Sequence, residues 1–435
     1  MIDSEKFEIK LKRLALNDFR GFSKLQLEFD NSLTVFIGEN GSGKTTILDA
    51  LAGFLDFFIL QIYPRYKFKY DRYSKADIKN DSEIQASVNE LEFSVNEETL
   101  RLGSHFTDKT DLIVRFEEPS QDWSTEFLQD LSRKEIVNQT EKKPIHKINL
   151  PIIVYYPSLL IEKKQPEKST LDVDKYSNYD DSLSGYSLNF EKFKEWFRWQ
   201  QNIETEEGDN KLLSFIKKAI LQILNDDSQV FSDIRISWKN KEVPEGEMAI
   251  KKGNSYLYDY QLSSGEKSLL TKVGDLARRL CIANRHLDNP HHGKGIVLID
   301  EIDTHLHPKW QRKIIPKLRE IFPNIQFVVT THSPMVVQNL DKENIRILRE
   351  GNIIQSKPVK GRDINSVSFD IFGVEKHPIE QQDLLNLMRK CFDLIDEGKT
   401  GDAKSILAKL IEVWGEEDGN IVELKTLIDL SGGRN

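Results

Sequence analysis

The chain has 435 residues, with 61 Lys and Arg against 70 Asp and Glu, a formal charge of −9. That balance excludes a uniformly basic nucleic-acid binder and leaves room only for a local basic face. The length suits about two or three average domains with sizeable cores, and no uninterrupted apolar run of roughly 18 residues marks a membrane span. Two cysteines, Cys281 and Cys391, supply neither a disulfide framework nor a paired Cys-x-x-Cys metal site. Met1 to Lys6 lacks the apolar segment of a signal peptide, so a reducing cytoplasm is the expected compartment.

In chain order, Ile9, Leu11, Leu14 and Leu16 predict one strand, and Leu25, Leu27 and Phe29 alternate in a second. Asn17-Asp18-Phe19-Arg20-Gly21-Phe22 between them reads as a turn carrying two aromatics and an arginine. An apolar strand over Leu33–Ile37 then enters Gly38-Glu39-Asn40-Gly41-Ser42-Gly43-Lys44-Thr45-Thr46, and a helix follows with Ile47, Leu48, Leu51, Leu55 and Phe58 at helical spacing. This is the complete phosphate-binding loop pattern, placed between strand and helix as the pattern requires. Its glycines let consecutive N–H groups turn onto a polyphosphate, and the helix adds its positive end to the same anion. ATP and Mg²⁺ are therefore the expected ligands, with Lys44 reaching the β and γ phosphates and the Thr45 hydroxyl ligating the metal. The strand pair before the loop forms a small antiparallel sheet beside the nucleotide. Phe19 and Arg20 either touch adenine or phosphate there, or Phe19 and Phe22 are core and Arg20 is solvated.

Tyr63–Lys75 alternates aromatic and basic residues, which suits either a nucleic-acid-binding ribbon or an exposed strand with its rings packed inward. Leu91–Val95 and Leu112–Phe116 predict strands, Pro151–Pro157 a buried strand of the main sheet, and Lys163–Tyr186 a long exposed loop. Phe190, Phe193, Trp196 and Phe197 share one helical face, and Leu212, Phe215, Ile216, Ala219, Ile220 and Ile223 another, both read as core. Ile234, Ile236 and Trp238 suggest a strand. Residues 59–260 thus read as an insertion, with helical pieces too short for an extended coiled coil.

The second half carries the complementary chemistry. In Gln261-Leu262-Ser263-Ser264-Gly265-Glu266-Lys267-Ser268 a serine hydroxyl and glycine N–H stand at the start of an apolar-striped helix, a second anion site. Gly295–Glu301 is an apolar strand ending in two carboxylates. Asp300 is expected to hold Mg²⁺ through water, and Glu301 to orient and polarise the attacking water. Ile325–Val329 runs into Thr330-Thr331-His332-Ser333-Pro334, where His332 is placed to sense a γ phosphate. The cluster His291, His292, His305 and His307 lacks cysteine partners and clear carboxylate geometry for zinc, and His305 and His307 fit a subunit contact beside ATP better. Glu350-Gly351-Asn352 reads as a hairpin turn. About three helices follow from Pro378, with apolar positions including Leu384, Leu387, Met388, Phe392, Leu394, Ile395, Ile406, Leu407, Leu410 and Ile411. They either dock a partner or neighbouring copy, or cover the core of the rest.

The stretch Gln261–Ser268 resembles the Leu-Ser-Gly-Gly-Gln signature of ATP-binding-cassette (ABC) ATPases. In order with the phosphate loop, Asp300-Glu301 and His332, it covers that family's main elements. Ser264 stands at the second-glycine position and Glu266 at the glutamine position, as suits the soluble RecF-like and SMC-like branch that Asn17–Phe22 also resembles. Thr304–His307 matches the D-loop, with His307 replacing its aspartate. No Q-loop glutamine is evident, because Gln61 follows the loop helix too closely and the strand ending at Tyr155-Tyr156 offers none. The resemblance implies an α/β P-loop NTPase of ABC type: a mixed central sheet flanked by helices, an N-terminal antiparallel β-subdomain, a helical insertion and a C-terminal helical tail. It further implies that Ser263, Ser264, Gly265 and Glu266 contact ATP held by another subunit, in a head-to-tail homodimer. Expected regions are an N-terminal lobe 1–58, an insertion 59–260, a C-terminal lobe 261–360 and a tail 361–435.

The insertion of intermediate length, Gly361-Arg362-Asp363-Ile364-Asn365-Ser366 and the tail resemble the ATPase subunits of Septu-type anti-phage defence, the PtuA family, which also occurs beside some retrons. That resemblance implies a regulatory ATPase acting on a separate HNH nuclease (PtuB-like). Neither an HNH Cys/His arrangement nor a Toprim-like acidic cluster is visible in this chain. Two other classes stay open: a RecF/SMC-like repair ATPase on duplex DNA, and a nucleotide-gated scaffold with little hydrolysis.

Overall fold

The computed structural model describes residues 7–63, 75–79, 82, 86–107, 113–117, 149–158, 175–184, 190–226, 230–238, 245–285, 287, 289–372 and 379–432. Most of the aromatic–basic run Tyr63–Lys75 and most of Lys163–Tyr186 lie outside them.

Strand β1 (Ile9–Phe19) pairs antiparallel with β2 (Phe22–Glu28), and Phe19 faces Phe22 across a turn narrowed to Arg20-Gly21. Both phenylalanines are core. Strand β3 (Leu33–Gly38) leads through the glycine loop into α1 (Lys44–Ile62). By length and composition α1 is apolar enough to cross a membrane, yet Ile47, Leu48, Leu51, Phe54, Phe58 and Ile62 are buried inside this fold. Strands β4 (Ala86–Val95), β5 (Glu98–Thr107) and β6 (Ile113–Phe116) complete an antiparallel sheet in the order β2-β1-β4-β5-β6. Asn96 and Glu97, with φ of 49° and 76°, make the two-residue turn between β4 and β5. The sequence reading passed over β5, although Leu100, Leu102 and Phe106 alternate inward along it.

Strand β7 (Ile152–Tyr156) belongs to the main sheet, as expected, and is buried throughout. Residues 175–184, expected as exposed loop, instead fold back: Tyr179, Ser182 and Leu183 are buried. The cause is hydrogen bonding to β7, where the Tyr179 hydroxyl donates to Pro151 O at 2.7 Å and the Tyr155 N–H to Ser182 O at 2.8 Å. Helix α2 (Phe190–Glu207) buries the predicted face of Phe190, Phe193, Trp196 and Phe197. Helix α3 (Lys211–Leu224) buries Leu213, Ile216, Ala219, Ile220, Ile223 and Leu224, a stripe turned slightly from the predicted one, so that Leu212 and Phe215 are half-buried. Strands β8 (Phe231–Ser237), β9 (Glu247–Lys252) and β10 (Ser255–Tyr258) form a small antiparallel sheet, with Trp238 exposed just past β8.

Helix α4 (Ser264–Ala283), strand β11 (Gly295–Ile299), helix α5 (Pro308–Ile321), strand β12 (Ile325–Thr330) and the hairpin β13 (Ile345–Arg349) and β14 (Asn352–Gln355) follow. The main sheet has the order β14-β13-β3-β12-β11-β7, parallel except for β14. Being covered on both faces, β7, β11 and β12 read as unbroken apolar runs rather than alternating ones. Gln326 interrupts the run in β12 and is fully buried. Its amide accepts from Leu11 N–H at 2.7 Å and donates to Leu11 O at 3.1 Å and Asp30 O at 2.8 Å, bolting the main sheet to the antiparallel one. The result is an α/β fold whose main sheet places the loop strand β3 beside β12 and the carboxylate strand β11 one further on.

Helix α6 (Ile364–Phe372) precedes α7 (Ile379–Asp396), α8 (Thr400–Trp414) and α9 (Gly419–Gly432). Ser368–Asn435 is a second compact unit. Its own core is Cys391, Ile395, Ala403, Leu407, Leu410, Ile421, Leu424 and Ile428, so most of the apolar stripe noted in the tail packs within the tail itself.

Candidate active site

The loop is shaped by close approach. Gly41 and Gly43 have φ of 79° and 101°, the left-handed region where glycine carries no steric cost. A Cβ on Gly43 would also run into the Phe22 ring, and one on Gly38 would lie 2.5 Å from Leu348 O and 2.7 Å from Ser42 Oγ. Gly43 offers no side-chain cap to α1, so the first N–H groups of the helix face the loop's concavity. The Ser42 hydroxyl is buried without a hydrogen-bond partner among the described residues. Lys44, buried, donates from Nζ to Gly38 O at 2.9 Å and Glu39 O at 2.8 Å. Burial lowers the pKa of its ammonium, against the pull of Asp300, Glu301 and Asp303.

The carboxylate strand meets the loop through hydroxyls. Thr45 donates to Asp300 Oδ2 at 3.0 Å, and Thr330, at the end of β12, donates to Asp300 Oδ1 at 2.6 Å. Burial raises the Asp300 pKa; the hydrogen bonds from Thr330 and Thr45 oppose this, and nearby Glu301 and Asp49 add to it. Glu301 sits at φ 47°, a left-handed conformation that is strained for a non-glycine residue. Its N–H donates to Thr330 Oγ1 at 2.7 Å, and its Oε2 accepts from Thr304 Oγ1 at 3.0 Å. Asp303 Oδ1 accepts from the Thr331 hydroxyl at 2.5 Å and the His332 N–H at 3.3 Å, tying the end of β12 to the turn after β11. Sequence reasoning gave no site role to Thr330 or Asp303, and none to Thr304 beyond its place in the D-loop match. The available signal was the hydroxyl pair Thr330-Thr331 at the end of a strand adjacent to β11.

A cavity of about 190 Å³ is lined by Asn40, Gly41, Gly43, Lys44, Thr45, Thr46, Asp300, Glu301 and His332. It gathers Asn40, Gly41 and Gly43–Thr46 of the expected phosphate loop with the residues expected to ligate Mg²⁺, activate water and sense the γ phosphate, whereas Gly38, Glu39 and Ser42 are not among its lining residues. Arg20 is not among its lining residues and is not solvated either. Its Nε lies 2.6 Å from Asp77 Oδ1 and its Nη1 2.7 Å from Asp49 Oδ2, so the guanidinium clamps α1 to the short segment 75–79. Neither alternative read from the sequence anticipated that clamp.

The signature residues also lie apart from the cavity. Ser263 and Ser264 are exposed, whereas Gly265 and Glu266 are buried. Ser263 and Glu266 form a reciprocal capping box on α4: Glu266 Oε2 accepts from the Ser263 N–H at 2.8 Å and its hydroxyl at 2.9 Å. Lys252 Nζ lies 2.7 Å from Glu266 Oε1. Burial alone would raise the Glu266 pKa, but the bonds from Lys252 and Ser263 outweigh it and hold the pKa low. The Glu266 carboxylate, expected to contact nucleotide, is therefore engaged within its own chain. A Cβ on Gly265 would stand 2.5 Å from His305 O, so this glycine lets the D-loop backbone pack against α4. His307 serves as N-cap of α5, its Nδ1 accepting from the Lys309 N–H at 3.3 Å. On α4, burial pulls the Lys272 ammonium down to about 8 against the pull of Asp303, Asp300 and Glu301.

A phosphate loop and a two-carboxylate strand in one mostly parallel sheet, an antiparallel subdomain against the loop and a capped serine-glycine helix are the elements that the resemblance to ABC-type ATPases called for. The chain belongs to the family described as "AAA domain, putative AbiEii toxin, Type IV TA system", whose model matches residues 33–338. It is 27% identical to the Retron Ec83 probable ATPase of Escherichia coli, over 97% of this chain and 87% of that protein. It is 29% identical to the Retron Vc95 probable ATPase of Vibrio cholerae, over 90% of this chain and 84% of that protein. Against the Septu protein PtuA of Bacillus thuringiensis the identity is 26%, over 75% of this chain and 73% of that protein.

Proposed function

We propose that this chain binds ATP with Mg²⁺ in the 190 Å³ cavity, hydrolyses it, and does so as a head-to-tail homodimer whose nucleotide state regulates a partner nuclease in anti-phage defence. The observation that carries the reading is that the cavity gathers every expected catalytic side chain except the signature, while Ser263 and Ser264 are exposed on the surface. A second copy would supply them. The donors fit the ligands: Thr45 and Asp300 are hard oxygen ligands of the kind Mg²⁺ prefers, and the uncapped start of α1 suits phosphate oxygens.

Mg²⁺, when bound, would neutralise charge on the phosphates. Lys44 would exchange its two loop carbonyls for phosphate oxygen. Thr330 holds Asp300 and the Glu301 backbone in fixed relation, and Thr304 orients the Glu301 carboxylate toward its role as general base. Asp303 fixes the backbone from which His332 reaches the cavity. The defence role rests on similarity to retron ATPases and to PtuA, and the nuclease, an HNH enzyme of PtuB type, is a separate chain docked through residues 361–435 in the cytoplasm. Purifying the chain with a tag beside its genetic neighbours tests this part, since recovery without any nuclease contradicts it. The ATP-sandwich is tested by Glu301→Gln, which keeps the binding groups and removes water activation: ATP should hold this variant as a dimer.

A further inference from the structure

Helix α4 carries the Ser263–Ser264 cap at one end and runs through the interior for 20 residues. Apolar packing on one side is tight, because a Cβ on Gly274 would lie 2.8 Å from the Phe193 ring. Beside that contact the helix is held by charge. Asp275, 4% exposed, accepts from Arg279 Nε at 2.7 Å, Arg278 Nη2 at 2.8 Å and the Tyr156 hydroxyl at 3.0 Å. Arg279 also reaches Asn178 O and, at 3.1 Å, Asp180 O, both in the turn folded against β7.

Tyr156 is the hinge of this network. It ends β7, fully buried, and its backbone carbonyl accepts the N–H of Asp300 at 2.8 Å while its hydroxyl binds Asp275. One residue therefore touches both the proposed Mg²⁺ ligand and the signature helix. A buried ionic network adds little net stability over a well-packed apolar one, and its best-attested use is to fix one register among several. The network is also one bond short of complete, since Arg278 Nε is buried with no partner among the described residues.

We propose that Tyr156 is a positioning residue for hydrolysis: through Asp275 it sets α4, and hence the exposed Ser263 cap, against the chain's own Asp300. The state of one cradle is then felt at the cap that this head offers to its mate. The inference deepens the ATP-sandwich reading and rests on it.

Tyr156→Phe keeps the ring and removes only the hydroxyl. The expected result is an ATP dissociation constant, read by calorimetry, within about twofold of wild type, with kcat lowered about tenfold and ATP-driven pairing moved to about tenfold higher protein concentration. Phe193→Leu loosens the neighbouring apolar contact of α4 at Gly274 without removing the Tyr156–Asp275 link, and serves as the structural comparison at matched loss of melting temperature. If Tyr156 were only structural, the two variants would lose activity in parallel with stability, which overturns the proposal. Wild-type kcat and pairing in Tyr156→Phe overturn it as well. Wild-type protein that neither pairs nor hydrolyses ATP contradicts the sandwich itself, a result distinguishable from both.

Discussion

The two helix N-termini to which the proposed function assigns phosphate contacts are built in opposite ways. Helix α1 starts at Gly43, in a left-handed conformation and with no side-chain cap, so its first N–H groups are left for a ligand. Helix α4 starts at Ser263 with a complete capping box, and a carboxylate ion-paired to Lys252 already accepts from Ser263. The first is open, with the shape that a phosphate would need. The second is self-satisfied, so a phosphate arriving from a second head would have to share Ser263 with Glu266. The contrast teaches that one terminus leaves its N–H groups open to a ligand, and the other satisfies its own before any second copy arrives.

Breaking the open terminus has the largest effect. Lys44→Ala removes the ammonium that lines the cavity, and ATP affinity measured by calorimetry should fall by about two orders of magnitude, on the scale of a lost charge-assisted contact. Unchanged affinity would take Lys44 out of its role. Ser263→Ala attacks the closed terminus: loss of the cap should cost about 1 kcal/mol of stability in chemical denaturation, with ATP binding by a single head unaffected and ATP-driven pairing lost. Asp275→Asn probes the anchor behind that terminus. Burial would raise the Asp275 pKa, but Arg279 and Arg278 hold it at about 2, below its ordinary 3.8. The stability from this depression is fully present above 3.8 and is lost as pH falls through about 2. The destabilisation of Asp275→Asn should therefore shrink steadily in melts below pH 3.8, and a pH-independent gap would contradict the pairing. Glu266→Gln has the smallest expected effect: glutamine can keep the capping box, stability should change by less than about 1 kcal/mol, and removal of the negative charge should strengthen ATP-driven pairing about threefold.

The open terminus was legible in the sequence because its chemistry is contiguous: strand, glycines, Lys44 and Thr45 lie within one short stretch. The carboxylate strand was legible for the same reason. What escaped was built across long separations. The Arg20 clamp joins Asp49 and Asp77, 29 and 57 residues away, and the hydroxyl of Thr330 meets Asp300 across 30 residues. The Ser263–Glu266 capping box is an exception, since its Ser-x-x-Glu spacing stands in plain view. Its meaning was obscured because the same residues also match a nucleotide-binding signature. Strand β5 escaped despite clean alternation, because polar residues at Glu98, Thr99, Ser104 and Thr107 make the segment look like turn. In the tail, helical periodicity gave the stripe but not its partner, which proved to be the tail's own α7, α8 and α9.

The central claim, that hydrolysis needs two heads, is tested most directly by the solution mass of Glu301→Gln with and without ATP and Mg²⁺. The account predicts a monomer-to-dimer shift on adding ATP, abolished when Ser263→Ala is combined with Glu301→Gln. A Glu301→Gln protein that binds ATP yet keeps the same mass with and without nucleotide would contradict it.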